Sequence, residues 1–355
     1  IPRLYMVHIL LVPGLLLGMI SAHMALLVYH KHTHFPGPGR KDTNVVGGPL
    51  FPVYVAKAGG FFFIVFGVTI LMGALMQINP VWLFGPYNPA QVTAGSQPDW
   101  YMGFVEGAIR IIPNWETHLL GTTWSWNIFL PGVGLMGLLF TGLGLYPFIE
   151  QWITGDTAEH HVLDRPRNVP TRTALGVAGM TCYAMFWLSG GNDILATQFG
   201  VSLNDVTLIM RVAVFVAPVI AFIVTKRLCL SLQRKDRERV LHGSESGILV
   251  RTPEGGYTEA HVPLEHDEAF VLTQHHQPAA LTPSVDTDAR GVRRRGKKVR
   301  GLRVKLSQWY ADGTITKPTA SDIAEAAHHG ASEAVAAGTV AGELSGATLG
   351  KGEGH

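Results

Sequence analysis

Two histidines, His8 and His23, stand fifteen residues apart in a stretch with no other ionisable charge between Leu4 and Tyr29. On a regular helix this spacing gives roughly 22 Å of rise and leaves the two imidazoles roughly 60° apart around the axis, so they share a face at two depths. An imidazole inside a membrane marks a functional site by default, because leaving it without a partner in lipid is costly. The geometry suits two cofactors stacked across a bilayer, each held by one ring nitrogen. It does not suit one shared metal ion, whose ligands must converge within a few ångströms. Two histidines bonded to neighbouring helices would fit the spacing equally well.

A second group of reactive types runs from Pro98-Asp99-Trp100-Tyr101 to Glu106, Arg110, Pro113 and Asn114. Placed on a helix, Asp99, Glu106 and Arg110 fall within roughly 40° of one another and form a charged stripe. Trp100, Tyr101, Phe104 and Ile111 are then expected on the opposite surface. A carboxylate held in an apolar pocket becomes a proton acceptor near neutrality. The same spacing also describes a surface helix with an internal ion pair.

These residues need elements to hold them, and the composition says what kind. The 355-residue chain is 15% charged and 47% hydrophobic, against about 25% charge in a typical soluble chain. The charge is also unevenly placed. Residues 207–225 contain Arg211 alone, whereas residues 290–305 contain nine basic residues and no acid. One soluble core is excluded. A net charge of +2 gives no reason to expect nucleic acid, and Cys182 and Cys229 form neither a disulfide framework nor a CxxC motif.

Five stretches approach the ~20 apolar residues needed to cross a hydrocarbon core, at about 8–29, 53–78, 127–149, 172–191 and 206–229. Loop 80–126, rich in Trp, Pro and Gly, is expected to pack along the membrane surface with a short helix near 99–112. Lys and Arg alternate between sides. Thirteen lie in 30–57, 150–172 and the segment ending at Arg239, whereas 80–126 and 192–205 hold only Arg110. The positive-inside rule then places 80–126 outside and the C-terminus in the cytoplasm. Residues 231–277 read as a cytoplasmic extension containing a small hairpin. Residues 278–355, dominated by Pro, Gly, Ser, Ala and charge, read as a disordered tail whose basic run could meet anionic lipid.

Pro98-Asp99-Trp100-Tyr101 resembles the Pro-Glu-Trp-Tyr signature of the cytochrome b family, the core subunit of quinol:cytochrome c reductases. The same order holds along residues 1–230. Arg3, His8, Pro13 and His23 resemble the family's fourth helix, and Phe51-Pro52-Val-Tyr54-Val-Ala-Lys57 the entry to its fifth. Gly85-Pro-Tyr-Asn88-Pro-Ala90 resembles the turn before the signature, and Arg110-Ile-Ile-Pro113-Asn114 the end after it. The fifteen-residue His spacing and Asp99 in place of Glu resemble bacterial members, and the long tail an actinobacterial type.

The resemblance implies an all-α polytopic membrane bundle, of which this chain supplies five spans from the fourth helix onward. The family's first three helices, which carry the partner ligands, are not among these residues, so the chain is read as a fragment in which each of two b-type haems would take one axial ligand: His8 for the outer, His23 for the inner. Arg3 is implied as a propionate partner. Asp99, Glu106 and Tyr101 are implied at the chemistry of an outer quinol pocket, and Pro98, Trp100, Glu106 and Arg110 around the quinone. His30 is a shifted counterpart of the inner-pocket histidine, and Ala58 replaces an acid of that pocket. The implied activity is electron transfer from quinol, menaquinol in this branch, through the two haems with proton translocation. Implied partners are a Rieske iron–sulfur subunit, a di-haem cytochrome c, a terminal oxidase, a second copy of the complex and membrane lipids. A di-haem anchor of another dehydrogenase would explain the histidines without the 98–101 loop. A transporter would rest on Ser21, His23 and Arg211 at mid-membrane.

Overall fold

The computed structural model describes residues 2–76, 88, 90, 99–251, 255–273, 279–282, 301–313, 315–316 and 318–326. Helices dominate. Helix α1 (Pro2–His30), α2 (Leu50–Leu75), α4 (Trp126–Thr154) and α7 (Leu203–His242) are long and apolar enough to cross a membrane. The short α3 (Gly103–Ile111) lies between α2 and α4. Helix α5 (Pro170–Gly190) forms where the fifth span is expected, but it is less apolar than the other four. Its polar groups are largely taken up internally: Thr181 Oγ1 donates to Val177 O at 2.8 Å and Ser189 Oγ to Met185 O at 2.7 Å. One side of α5 packs along α7 and another against α3.

Prolines shape two of the spans. Pro13 has no N–H to donate, and its ring would press on the carbonyl four residues earlier. Helix α1 relaxes this with a wide π turn over Val7–Leu11, where Val12 N–H reaches back five residues to Val7 O. Helix α4 also carries a π segment, Leu130–Leu135, with Pro131 in its first turn.

Helix α7 has 40 residues and is therefore roughly 60 Å long, about twice the ~30 Å hydrocarbon core. Its second half, from about Lys226, must leave the bilayer. There buried Asp236 receives Arg165 at 3.1 Å and Arg167 at 3.0 Å, while Gln233 donates to Arg167 O. These contacts tie α7 to the loop that starts α5. Between α4 and α5, Arg172 holds Glu150 at 2.6 Å and Asp164 at 2.7 Å.

Two hairpins complete the chain. Strands β1 (Glu116–Leu119) and β2 (Thr122–Ser125) pair antiparallel around Leu120 and Gly121, both at positive φ (52° and 73°). Strands β3 (Ser244–Arg251) and β4 (Tyr257–Val262) pair where the alternation at 248–262 suggested a hairpin. Short helices α6 (Asn192–Phe199) and α8 (His266–Thr273) follow α5 and β4 respectively. Within the stretch whose composition suggested disorder, Gly301–Ala311 forms helix α9, which packs on α4.

Candidate functional site

His8 lies in the π turn of α1 and His23 four turns further on, both exposed along the chain's own surface. Among the described residues neither imidazole has a hydrogen-bond partner, and neither does Arg3. Each step of a π turn rotates less than a step of α-helix, so the wide turn reduces the 60° offset expected for a regular helix. Helix α1 is apolar all round and exposed throughout, a pattern that belongs to a helix surrounded by lipid or other helices. Two open imidazoles on one side of such a helix fit a haem iron, which takes histidine nitrogen as an axial ligand. Among the described residues no group of three or more His, Cys, Asp or Glu side chains is placed to hold a metal ion. The donor set thus fits one ligand at each of two sites and no protein-only metal cage.

The segment from Asp99 to Arg110 departs from the expected single stripe. Asp99 is extended (φ −56°, ψ 142°) and is followed by a tight turn over Trp100–Met102, so α3 begins only at Gly103. Asp99 is therefore off the helix, and its phase relative to Glu106 is not set by helical periodicity. Two separate clusters result. In one, Tyr101 donates its hydroxyl to Asp99 Oδ2 at 2.8 Å. That hydrogen bond, with the neighbouring negative charge, raises the Tyr101 pKa above the ordinary phenol value, so the phenol stays a donor. In the other, Arg110 Nε donates to Glu106 Oε1 at 2.9 Å, and its Nη1 reaches Asn192 Oδ1 at 2.9 Å and Asp193 Oδ1 at 2.8 Å. Burial pulls the Arg110 pKa down, but its two carboxylate partners outweigh that and leave it above the ordinary value. Asn192 and Asp193 were not anticipated from the sequence. They open α6 more than eighty residues away, and no local pattern marks them.

The aromatic surface also divides. Phe104 and Ile111 are buried, whereas Trp100 and Tyr101 are exposed. Phe104 meets Tyr183 of α5 at 4.8 Å between ring centroids, and Trp187 Nε1 donates to Trp100 O at 2.9 Å. The helices meet through glycine. A Cβ on Gly107 would fall 1.8 Å from Phe186 O, whereas one on Gly103 would meet only the Trp187 ring, at 3.0 Å. Overpacking typically costs about 1–3 kcal/mol, and backbone cannot step aside as a ring can. Gly107→Ala should therefore cost about 3 kcal/mol of loop docking and expose the loop to limited proteolysis, with Gly103→Ala much milder. Equal proteolysis of both variants would contradict this packing.

Behind α3 lies an apolar cavity of about 380 Å3 lined by Ile111, Pro113, Leu130, Pro131, Phe186 and Arg211. Arg211 Nε caps the end of α3 by donating to Ile111 O at 2.5 Å.

Of the remaining candidates, Pro98 lies outside the described residues, as does most of the 85–90 turn. His30 ends α1, exposed, with its ring edge-on to Tyr29 at 5.0 Å. His34, four residues further on, is buried: Val46 N–H meets its Nδ1 at 3.2 Å and Lys41 O its Nε2 at 3.2 Å. His118 pairs with Thr123 across the β1–β2 hairpin at 2.9 Å.

A family profile described as cytochrome b(N-terminal)/b6/petB matches residues 1–86, the segment that carries both α1 histidines. The chain is 51% identical over 329 residues to the cytochrome bc1 complex cytochrome b subunit of Streptomyces coelicolor, covering 92% of this chain and 60% of that protein. It is 48% identical over 286 residues to the same-named subunit of Mycobacterium bovis, covering 78% of this chain and 51% of the relative. The Corynebacterium diphtheriae subunit is 48% identical over 265 residues, covering 74% and 48%. The chain thus spans at most about 60% of the length of these relatives. Membrane-crossing helices, open imidazoles and an Asp99–Tyr101 loop in this order, together with these similarities, establish that the chain belongs to the cytochrome b family, of the type found in actinobacterial bc1 complexes.

Proposed function

We propose that the chain acts as part of the cytochrome b subunit of a respiratory quinol:cytochrome c reductase, a translocase that oxidises menaquinol. The observation that carries this reading is the pair of unpartnered imidazoles on the face of one membrane helix. His8 would hold the outer b-type haem and His23 the inner, with Arg3 placed towards a propionate. When bound, such haems supply one-electron acceptors at two depths of the bilayer.

At the outer pocket the residues work on the proton. Asp99 or Glu106 accepts it from the quinol hydroxyl as the electron leaves. Tyr101, by donating to Asp99, holds that carboxylate in position. Arg110 joins Glu106 to Asn192 and Asp193 and so fixes the loop against α6. Pro98 and Trp100 would wall the quinone. His30, at the opposite end of α1 from Arg3, belongs to an inner quinone site where proton uptake would occur. The thirteen-to-one distribution of Lys and Arg supports a plasma-membrane orientation with the outer loop outside and the C-terminus in the cytoplasm. The family's architecture supports a Rieske iron–sulfur subunit, a di-haem cytochrome c, a terminal oxidase and a second copy of the complex as partners.

A visible spectrum of the intact assembly, taken with quinol–cytochrome c turnover, tests this. Reduced b-type haem bands with turnover are expected. A spectrum without haem would favour a transporter, and haem without turnover a di-haem anchor of another dehydrogenase.

A further inference from the structure

Helix α9 meets the spans in a consistent order. Arg303 Nε donates to Trp152 O at 2.5 Å, and its guanidinium lies over the Trp152 ring, 5.7 Å from the centroid. Seven residues later, Tyr310 donates to Glu150 and its hydroxyl meets that of Tyr146 at 3.1 Å. Numbers rise along α9 as they fall along α4, so α9 runs antiparallel to the end of α4, from its last turn back towards the membrane. On the other side Trp309 stacks on Phe222 of α7, with centroids 6.1 Å apart and planes at 7°. Tyr146 and Phe222 both lie within apolar spans, and Phe222 is roughly 6 Å, one turn, inside Lys226, the first basic residue of that end of α7. The chain then climbs out. Asp312 pairs with Lys226 at 3.9 Å, and Ile315 N–H donates to Gln233 Oε1 at 2.9 Å. Helix α9 thus descends to the ends of two spans, and Asp312 and Ile315 lie back beside the polar segment of α7.

We infer that this segment is a re-entrant wedge whose outer face is covered by the boundary between headgroups and acyl chains of a phospholipid leaflet. The side turned inward packs on protein: Val304 and Ser307 are buried, and Ser307 Oγ accepts Leu281 N–H at 3.0 Å. The outer side shows Leu302 (68% exposed), Lys305 and Trp309 (44% exposed). Tryptophan favours the membrane boundary, where its ring is in apolar surroundings and its N–H near water. Lys305 can lay its stem along the apolar surface and keep its ammonium among headgroups. The occupant follows from continuity. The wedge's outer face joins the exposed apolar surface of the same two spans, including Leu145, Phe148, Ile223 and Val224. Where those two spans meet lipid, the outer face of the wedge continues the same surface, with Trp309 and Lys305 at its boundary. This inference rests on α4 and α7 crossing the membrane, but not on which side is the cytoplasm and not on haem or quinol.

The test is tryptophan quenching in the intact complex, reconstituted in phospholipid vesicles with bromine on either shallow or deep acyl carbons. The Trp309 emission is taken as the wild-type spectrum minus that of Trp309→Phe. Shallow bromines should quench most of it, deep bromines little, and aqueous iodide little. Leu302→Trp in the Trp309→Phe background adds a reporter that makes no docking contact, so it stays informative if Trp309→Phe loosens α9. It should show the same shallow quenching. Quenching by iodide instead would place the face in water, and protection from every quencher would place it under protein; either overturns the inference. If none of the subunit's tryptophans responded to any brominated lipid, the membrane reading of α4 and α7 would itself fail, which is a different result from Trp309 alone being silent.

Discussion

Replacing His8 or His23 with a residue that cannot ligate iron, in the assembled subunit, is expected to remove one b-type haem each and leave the other. The two imidazoles sit on one continuous helix, and each lacks a hydrogen-bond partner among the described residues. Substitution therefore breaks no internal contact, and a structural role has little to lose. Each histidine would supply this chain's one ligand to a haem iron, so a residue without a donor nitrogen would leave that haem without its hold on this chain. The His8 variant should lose the haem nearer the outer surface and the His23 variant the inner one, so the remaining spectra and potentials should differ. Because the π turn at Val7–Leu11 orients His8, Pro13→Ala offers a gentler probe: a narrower turn should perturb the outer haem's spectrum while sparing the inner. Both haems retained with unchanged spectra in His8→Leu and in His23→Leu would remove the ligand assignment altogether.

The spans were legible because the signal is local. About twenty apolar residues in a row mark a candidate bilayer-crossing helix without reference to the rest of the chain; helices formed at all five expected places, and four of them are long and apolar enough to cross. Helix α5 shows the limit of that signal. Thr171, Arg172, Thr173 and Ser189 dilute its apolarity, and its position between α3 and α7 depends on Gly107 and Gly190, whose close approach no window contains. The charged stripe failed for a related reason. Phase arithmetic from Asp99 to Glu106 assumed one helix, whereas the backbone turns tightly at Trp100–Met102 and Asp99 lies before it. Arg110 stood out within its own segment, but its partners Asn192 and Asp193 open α6, more than eighty residues away. In the tail, averaging over 278–355 concealed the eleven residues of α9, in which Val304 and Ser307 turn inward while Leu302 and Lys305 turn out.

The division of the acidic residues into two clusters sharpens what their removal should do. Quinol is a weak acid, and its oxidation near neutrality needs a base at the hydroxyl as the electron leaves. Asp99 keeps Tyr101 as its donor and Glu106 keeps Arg110, so changing one carboxylate leaves the other cluster intact. A general base typically contributes about 10²–10⁴-fold. Asp99→Asn and Glu106→Gln singly should each lose less than that range, and the double variant should lose all of it. Without either base the reaction depends on quinol that has already ionised, which becomes more abundant as pH rises, so the double variant's profile should move to higher pH. Haem spectra should stay normal in all three, since neither carboxylate is a proposed ligand. Fold should persist as well, because Arg110 retains Asp193 at 2.8 Å after Glu106 is neutralised. Turnover against pH, measured in membranes with intact haem spectra, separates base from brace. If the double variant turned over at full rate with an unmoved profile, Glu106 would be only the ion-pair partner of Arg110, and Asp99 only the acceptor of the Tyr101 hydroxyl.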